Sequence, residues 1–423
     1  MSENITPDPS NLPDQPQQTE ETKPATNSAR LTLLAIVVGV GVMIWRAPST
    51  AYAVGAFLIT LGVLVFVHEW GHYQFARWAG MKVNRFGIGF PPWLFTVRRN
   101  DIDYSLGALP IGGMVDIAGL GSEEEMVAAA KGAEFSTVPS RPNVPRGQRQ
   151  FQDASLGWRF WTLFAGPLMN FLLAIILFIG IYSIAGVPLP AATSTVRTVM
   201  PGSPAQAAGI LAGDRIVAVN NKPTTETKVI SETITASKGA PVTVRLEREG
   251  QVIEKTLRPA FEERPTADGK GTERALQIGV GFRLIVKEYV KVGIKDAIIY
   301  GWGSVLEITT SIKDLLVRAV TLNLSKSDKG NVGGPIRIAQ EAGDTAQQGW
   351  QILALFAAGL SVNLGLLNLL PIPALDGGRI LFLGYELLAG RPLDPKKESV
   401  VHMAGMAVLL AFMLFITMRD VFR

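Results

Sequence analysis

The 423-residue chain contains no cysteine and only three histidines. Without cysteine, the chain can form neither disulfides nor thiolate metal sites, so a zinc ion would have to take its ligands from His, Asp and Glu. Charged residues are also scarce, at 18% of the chain, whereas 48% of the residues are hydrophobic. Because soluble domains carry about 25% charged residues, the shortage of charge indicates a membrane protein.

A nucleic-acid partner is not expected, although the formal net charge is +4. The basic residues collect in loops beside apolar runs rather than along a single stripe. That distribution is the positive-inside pattern of membrane proteins, in which basic loops stay in the cytoplasm. The partner that the composition predicts is a lipid bilayer.

Four apolar runs reach the roughly 20 residues that a helix needs to cross a bilayer. They are residues 50–78, 161–185, 350–370 and 400–418. A shorter run, Leu31–Trp45, lies between Arg30 and Arg46 and predicts an extra N-terminal membrane helix. The expected fold class is a multi-pass α-helical membrane protein with four core helices and this extra one.

The loops predict the orientation of these helices. Arg and Lys cluster between the first and second core runs and again between the third and fourth. Both loops should therefore be cytoplasmic, which puts the segment of about 190–340 on the outside. Residues 1–30 are rich in Pro, Gln, Asn and Thr, so we expect a disordered cytoplasmic tail there.

The sequence HEWGH at residues 68–72 ends the first core run. On a helix, His68 and His72 lie on one face about one turn apart, so both imidazoles can bind one metal ion. Glu69 projects beside them and can accept a proton from water at the metal. This spacing is typical of zinc hydrolases; the less favoured alternative is a pair of helix histidines without a metal.

A catalytic zinc ion keeps three protein ligands and one open position, so a third ligand is needed. The candidate is Asp376, which closes an uncharged run reaching back to Thr345. A carboxylate at membrane depth is costly unless it meets a cation; the alternative is that Asp376 only caps a helix end. Pro371 and Pro373 break the preceding helix. His402 has no partner motif, so we interpret it as an interfacial residue rather than a ligand.

Residues 192–283 predict a small external domain of strands and short helices. Ser203 predicts the start of a helix and Gly209 its end, and a hairpin is expected to turn at Glu249-Gly250. The pattern SPAxxAGxxxGDxIxxVN resembles a PDZ domain, which binds an extended peptide at a sheet edge. The candidate loop for a peptide carboxylate consists of Ile278, Gly279, Val280 and Gly281. The alternative is an ordinary glycine-rich strand end.

Three motifs together resemble the site-2 protease family, and within it the bacterial regulator of sigma-E protease branch. They are HEWGH at 68–72, FAGPLMN at 164–170 and NLLPIPALDGG at 368–378. The resemblance covers nearly all of residues 50–423. It implies an intramembrane zinc metalloendopeptidase with one zinc ion per chain, held by His68, His72 and Asp376, and Glu69 as the catalytic base.

The resemblance also implies how the substrate is bound. Asn368, with Pro371 and Pro373, would position it, and Phe86–Val115 would form a membrane-associated β-hairpin. The implied substrates are single-span membrane proteins, such as anti-sigma factors already trimmed on the outer side of the membrane, with signal-peptide remnants as a further candidate. The implied location is the bacterial inner membrane, with the PDZ domain in the periplasm and the active site near the cytoplasmic side.

The chain departs from those family members that carry tandem PDZ domains, because only one such domain is visible in the sequence. The extra N-terminal helix and a charged insertion at 120–157 have no predicted role. The expected organisation is a tail (1–30), an extra helix (31–46), a first core part (50–190), a PDZ domain (192–283), an amphipathic external linker (284–345) and a second core part (346–423).

Two other functions compete with a protease. A catalytically inactive scaffold could bind partners through the PDZ domain, but it would have no reason to keep Glu69 and Asp376. A secondary transporter would explain an intramembrane acid beside a broken helix, but the sequence has no internal repeat and a transporter has no use for HExxH.

Overall fold

The computed structural model of the chain describes residues 38–39, 41–120, 147–224, 226–265, 272–321, 323 and 333–421. The predicted tail at 1–30, much of the extra helix at 31–46 and most of the insertion at 120–157 lie outside these residues. Residues 41–46 are helical.

Along the described residues, two groups of strands are separated by a long helix, and further long helices follow the second group. The helices are α1 (Pro48–Trp78), α2 (Leu156–Ile184), α3 (Pro204–Ala207), α4 (Thr227–Ala236), α5 (Ile294–Val320), α6 (Pro335–Gln347), α7 (Trp350–Asn368), α8 (Asp376–Ala389) and α9 (Pro395–Val421). The strands are β1 (Val83–Arg99), β2 (Ile102–Ile117), β3 (Val187–Val199), β4 (Arg215–Val219), β5 (Lys222–Pro223), β6 (Val242–Arg248), β7 (Gln251–Leu257), β8 (Ala260–Pro265), β9 (Thr272–Gln277) and β10 (Val280–Val290).

Among the described residues, four helical segments are long and apolar enough to cross a membrane: α1, α2, α7 and residues Val400–Asp420 of α9. They correspond to the four predicted core runs, so the expectation of a multi-pass membrane protein is confirmed. Helix α2 packs against α1, α5, α7 and α8. Close approach depends on small residues; a Cβ on Gly71 of α1 would lie 2.5 Å from the Ala165 carbonyl oxygen of α2.

Strands β1 and β2 form the predicted hairpin and fold back on themselves. Residues 85–88 of β1 pair with 113–116 of β2 on one side and with 103–106 on the other. This sheet packs against α1, through a cluster that includes Tyr73, Phe86 and Ile117. The hairpin is therefore attached to the helix that carries HEWGH.

A second sheet follows α2, with strand order β10-β3-β4-β6-β7 and β5 beside β4. Strands β8 and β9 form a separate hairpin. The local predictions are confirmed, since the Ser203 side chain accepts a hydrogen bond from the Gln206 amide at the start of α3 and β6 turns into β7 after Arg248. Gly209 has a φ of +72°, which favours glycine after a helix end.

The sheet extends beyond the predicted limits of 192–283. Val187 pairs with Val290, so β3 and β10 continue as a ladder to the end of α2. The predicted linker at 284–345 therefore needs correction, because its first residues belong to β10. Its remainder holds two helices, α5 and α6, of which α6 packs against α1 and α9. The sequence pattern missed these limits because backbone pairing, not side-chain alternation, extends the two strands.

One buried ion pair connects two parts of the second sheet. Asp214 is 1% exposed, and its carboxylate accepts hydrogen bonds from Arg248 at 2.7 and 2.8 Å and from the Leu211 amide at 2.8 Å. The hydrogen bonds from Arg248 are the main cause that holds the pKa of Asp214 below its usual value of 3.8. A carboxylate with a lowered pKa stabilises the fold at neutral pH.

Removing the charge of Asp214 should destabilise this sheet. For Asp214→Asn in the full chain, we expect the opening free energy of residues 187–290 to fall by about 1–3 kcal/mol, measured by amide hydrogen exchange. The ionised Asp214 stabilises the sheet above the unfolded pKa, so the wild-type sheet should lose this contribution as the pH falls below about 4. The variant should show a smaller loss over the same range.

The matched control is Glu254→Gln, which removes an exposed pair with Arg245 at 3.2 Å. A surface pair of this kind contributes at most about 1 kcal/mol. If Asp214→Asn changes exchange no more than this control, the buried pair does not stabilise the sheet.

Candidate metal centre

Two helices bring three predicted metal ligands together. His68 and His72 lie one turn apart on α1, and their Nε2 atoms are 3.3 Å apart. Asp376 is the first residue of α8. Its Oδ2 atom lies 3.2 Å from Nε2 of His68 and 3.3 Å from Nε2 of His72. The structure therefore joins residues from opposite ends of the sequence in one group that could hold a metal ion.

Hydrogen bonds orient the imidazole of His72. Its Nδ1 lies 2.8 Å from the carbonyl oxygen of Thr162 on α2. A carbonyl oxygen can only accept, so Nδ1 of His72 carries the proton and Nε2 presents a lone pair to the centre. This arrangement is common for metal-binding histidines.

Asn170 of α2 supports His68 in the same way. Its amide nitrogen Nδ2 lies 3.1 Å from Nδ1 of His68, whereas the amide oxygen Oδ1 is fully buried without a partner among the described residues, which favours the amide turned by 180°. The two ends of an amide are equivalent in shape. With Oδ1 facing His68, the amide oxygen accepts from a protonated Nδ1, and Nε2 of His68 also presents a lone pair.

The spacing of the three atoms fits a zinc ion. The three atoms lie 3.2–3.3 Å from one another, and Asp376 Oδ2 is buried without a hydrogen bond in the described part of the chain, so the group could hold a metal ion. Zinc binds nitrogen and carboxylate oxygen at about 2.0–2.1 Å, so ligands at tetrahedral angles are about 3.3–3.4 Å apart. A zinc ion held by these three residues would keep one open position.

Glu69 is part of α1, lies against the β1–β2 sheet and is 9% exposed. A Cβ on Gly113 of β2 would lie 2.7 Å from Cγ of Glu69 and 2.7 Å from a methyl group of Val65. Glycine at 113 therefore lets the strand approach the carboxylate closely. The predicted base is thus beside both the ligands and a strand.

The predicted substrate-positioning residues lie between α7 and α8. Asn368 is the last residue of α7, and Pro371 and Pro373 belong to the loop that leads to Asp376. In this loop Ala374 has a φ of +84°, a conformation that is uncommon for a residue other than glycine.

His402 supports this loop. It is 7% exposed, and its Nδ1 accepts a hydrogen bond of 3.2 Å from the backbone N–H of Ala374. The sequence offered no partner for His402, and the structure provides one. His402 is not part of the three-residue ligand group, as expected.

Further contacts attach α8 to its surroundings. Arg159 of α2 donates two hydrogen bonds to the carboxylate of Glu386, at 2.5 and 3.0 Å. Arg379 donates to the carbonyl oxygen of Leu120, just after β2, at 3.2 Å. Since α8 begins with Asp376, these bonds fix the position of the predicted third ligand.

The candidate carboxylate loop of the second sheet is part of the fold. Ile278 is buried, and the carbonyl oxygens of Ile278 and Gly279 accept hydrogen bonds from the amides of Ala205 and Met200. The next two residues, Val280 and Gly281, pair with β3. Peptide binding by this loop stays a prediction.

Comparison with known proteins identifies close relatives. The family model described as Peptidase family M50 matches residues 56–412. Zinc metalloprotease RasP of Geobacillus kaustophilus is 31% identical over 432 residues, covering 88% of this chain and 98% of the relative. Zinc metalloprotease RasP of Shouchella clausii is 31% identical over 427 residues, covering 86% and 98%. A relative from Rhizobium meliloti is 36% identical over 378 residues, covering 88% and 96%.

Adding one methyl group at Gly166 of α2 should disrupt the centre. A Cβ there would overlap Nε2 of His72 and lie 2.8 Å from the imidazole of His68. We expect Gly166→Ala to lower zinc affinity by at least about tenfold, measured as the zinc retained after dialysis against a chelator. Thermal unfolding of the same sample reports whether the fold is retained.

Gly180→Ala is the matched control, because Gly180 lies on the same helix with nothing within 4 Å of its Cβ position. It should retain zinc like the wild type. Equal zinc retention in Gly166→Ala would contradict the close packing of α2 on the ligands.

Proposed function

The chain belongs to peptidase family M50, whose relatives are zinc metalloproteases, and we propose that it is an intramembrane endopeptidase. It hydrolyses peptide bonds within or next to the transmembrane segments of single-span membrane proteins. The observation that carries this proposal is the group formed by His68, His72 and Asp376 at the end of an apolar helix. A zinc centre at that depth can reach peptide bonds that soluble proteases cannot.

In this proposal His68, His72 and Asp376 bind one zinc ion per chain. When bound there, a zinc ion would supply Lewis-acid chemistry, lowering the pKa of water and polarising the substrate carbonyl. Glu69 accepts the proton of the attacking water and donates it to the leaving amine. The amide of Asn170 and the carbonyl oxygen of Thr162 hold the two imidazoles in the tautomer that the reaction requires.

A transmembrane helix must be locally unwound before hydrolysis, because its amides are engaged in hydrogen bonds within the helix. The freed N–H and C=O groups need new partners, since lipid offers none. Strand β2 pairs only with β1 among the described strands, which leaves the outer side of residues 113–115 beside Glu69. We propose that the substrate adds to this edge as a strand, and that Asn368, Pro371 and Pro373 contact it from the opposite loop.

The proposed location is the bacterial inner membrane. Basic residues in the connections between α1 and α2 and between α8 and α9 favour a cytoplasmic position for both. The active site would then lie near the cytoplasmic side, and the sheet of β3–β10, proposed as a PDZ domain, in the periplasm. The proposed substrates are anti-sigma factors that an earlier cut has shortened, and remnants of signal peptides.

The experiment that tests this function separates catalysis from metal binding. Glu69→Gln deletes the base and leaves the three ligands, so it should retain fold and zinc yet lose at least about 100-fold in turnover of a single-span substrate. The measurement is cleavage by the purified protein in lipid vesicles, with zinc content determined on the same sample. Wild-type cleavage by Glu69→Gln would contradict the proposed mechanism.

The ligand variants complete this experiment. His68→Ala, His72→Ala and Asp376→Ala should each lower zinc occupancy as well as cleavage, because each removes one of three ligands. If Asp376→Asn retains full zinc and full activity, the third ligand lies elsewhere.

A second experiment asks how the sheet of β3–β10 selects substrates. It either binds a free C-terminus through the backbone amides of Ile278–Gly281 or excludes bulky substrates by size. We favour exclusion by size because Arg274 and Arg283 are the only basic residues that closely flank this loop in the sequence. Size exclusion predicts that amidating the C-terminus of a trimmed substrate leaves its cleavage rate unchanged. Slower cleavage after amidation would support carboxylate binding instead.

The complementary variant lacks residues 192–283. Residues 187–191 remain opposite 285–290, with which they already pair, so a short Gly-Ser linker can join them. Size exclusion predicts faster cleavage of substrates with a large external domain and little change for trimmed ones. If long substrates are still refused, the sheet does not act as a size filter.

A further inference from the structure

A polar cavity of about 310 Å³ lies at the C-terminal end of α1. Basic residues cluster in the sequence that follows, between α1 and α2. Its polar lining consists of Tyr73, Arg77, Lys82, Asn100, Tyr104 and Gln148. None of these side chains belongs to the group of three metal ligands. The cavity is therefore distinct from the candidate metal centre.

Lys82 is a buried cation with one neutral partner. It is 9% exposed, and its ammonium donates one hydrogen bond of 2.8 Å to the carbonyl oxygen of Asp101. An ammonium has three N–H donors, and no carboxylate pairs with Lys82 within the described ranges. Buried charges are normally paired, so two donors of Lys82 are left to bind an anion.

Arg77 adds a second positive charge. It donates to the hydroxyl oxygen of Tyr73 at 3.3 Å and lies over the ring of Tyr73. It also has no carboxylate partner in the part of the chain that the structure describes. The negative end of the α1 dipole, which amounts to about half a charge, does not balance two full positive charges.

The two phenols supply one more donor. The hydroxyl groups of Tyr73 and Tyr104 are 2.8 Å apart, so one donates to the other. The two hydroxyl groups carry two protons, and only one of these lies between the two oxygens. The other phenol proton therefore has no acceptor in this pair, whichever hydroxyl is the donor. Hydrogen-bond donors and positive charges thus outnumber their acceptors among these four side chains. A ligand with several acceptor oxygens would match them.

We propose that this cavity binds a phosphate group. Phosphate offers several charged acceptor oxygens, which match the ammonium, guanidinium and phenol donors. Two sources share this chemistry, a phospholipid headgroup and a phosphate-bearing solute. The exposed indole of Trp78, next to Arg77 in the sequence and 61% exposed, is typical of the membrane interface; a lipid can reach the cavity there.

The binding experiment uses the full-length zinc-loaded protein in a neutral detergent, titrated by calorimetry. One arm adds inorganic phosphate, a second adds dihexanoyl phosphatidic acid, and a third adds dihexanoyl glycerol, which has the same chains without phosphate. Binding of inorganic phosphate supports the proposal with a solute as a sufficient source. Binding of phosphatidic acid alone supports it with a lipid as the source.

Variants locate the binding. Lys82→Met and Arg77→Met should each weaken binding by about tenfold, the loss expected for one charge-assisted hydrogen bond, whereas Lys82→Arg should retain it. Arg391→Met is the matched control, since Arg391 is exposed in the connection between α8 and α9, and it should bind like the wild type. Arg77 is itself exposed, so its variant reports on the cavity even if Lys82→Met fails to fold.

Three results would overturn the proposal. The first is no binding of either phosphate compound to the wild type. The second is equal binding to the wild type and Arg77→Met, which would place the phosphate elsewhere, for instance at zinc. The third is equal binding of dihexanoyl glycerol, which would mean that the acyl chains alone are recognised.

Discussion

Three lone-pair atoms held within 3.3 Å of one another form the constraint on which the rest of the structure depends. Without a cation, such a group would be repulsive and costly to bury. A zinc ion bound between these atoms would offset their repulsion, provided that His68, His72 and Asp376 are held in fixed orientations. Much of the surrounding structure supplies those orientations.

Helix α2 provides most of this support. It contributes the carbonyl oxygen of Thr162 and the amide of Asn170 to the two imidazoles, and Gly166 gives them room. Ser361 of α7 donates to the carbonyl oxygen of Asn170 at 2.7 Å, which ties α7 to the same point. Because lipid is as apolar as the helices, such hydrogen bonds and close contacts, rather than burial from water, hold the bundle together.

Features that depend on local pattern could be predicted from the sequence, whereas most tertiary contacts could not. Asp376 is an exception, because a carboxylate at membrane depth indicates a nearby cation. The four membrane helices and the grouping of His68 and His72 follow from run length and helical spacing, whereas the β1–β2 hairpin was expected from the family resemblance. The sequence contains Asn170 as the last residue of the FAGPLMN motif but does not predict its role, because its contact with His68 joins separate helices. The sequence gives no indication of the role of His402, since its partner is the backbone N–H of Ala374. The extension of β3 to Val187 likewise rests on backbone pairing.

The measurement that tests the central claim most directly is X-ray absorption at the zinc edge on the wild-type protein in lipid. The account predicts two imidazole nitrogens and oxygen ligands at about 2.0–2.1 Å in four-coordinate geometry, and the loss of one oxygen ligand in Asp376→Ala. Three imidazoles would mean that His402 is a ligand, and a spectrum without imidazole would mean that the metal binds elsewhere. Either result would contradict the site described here.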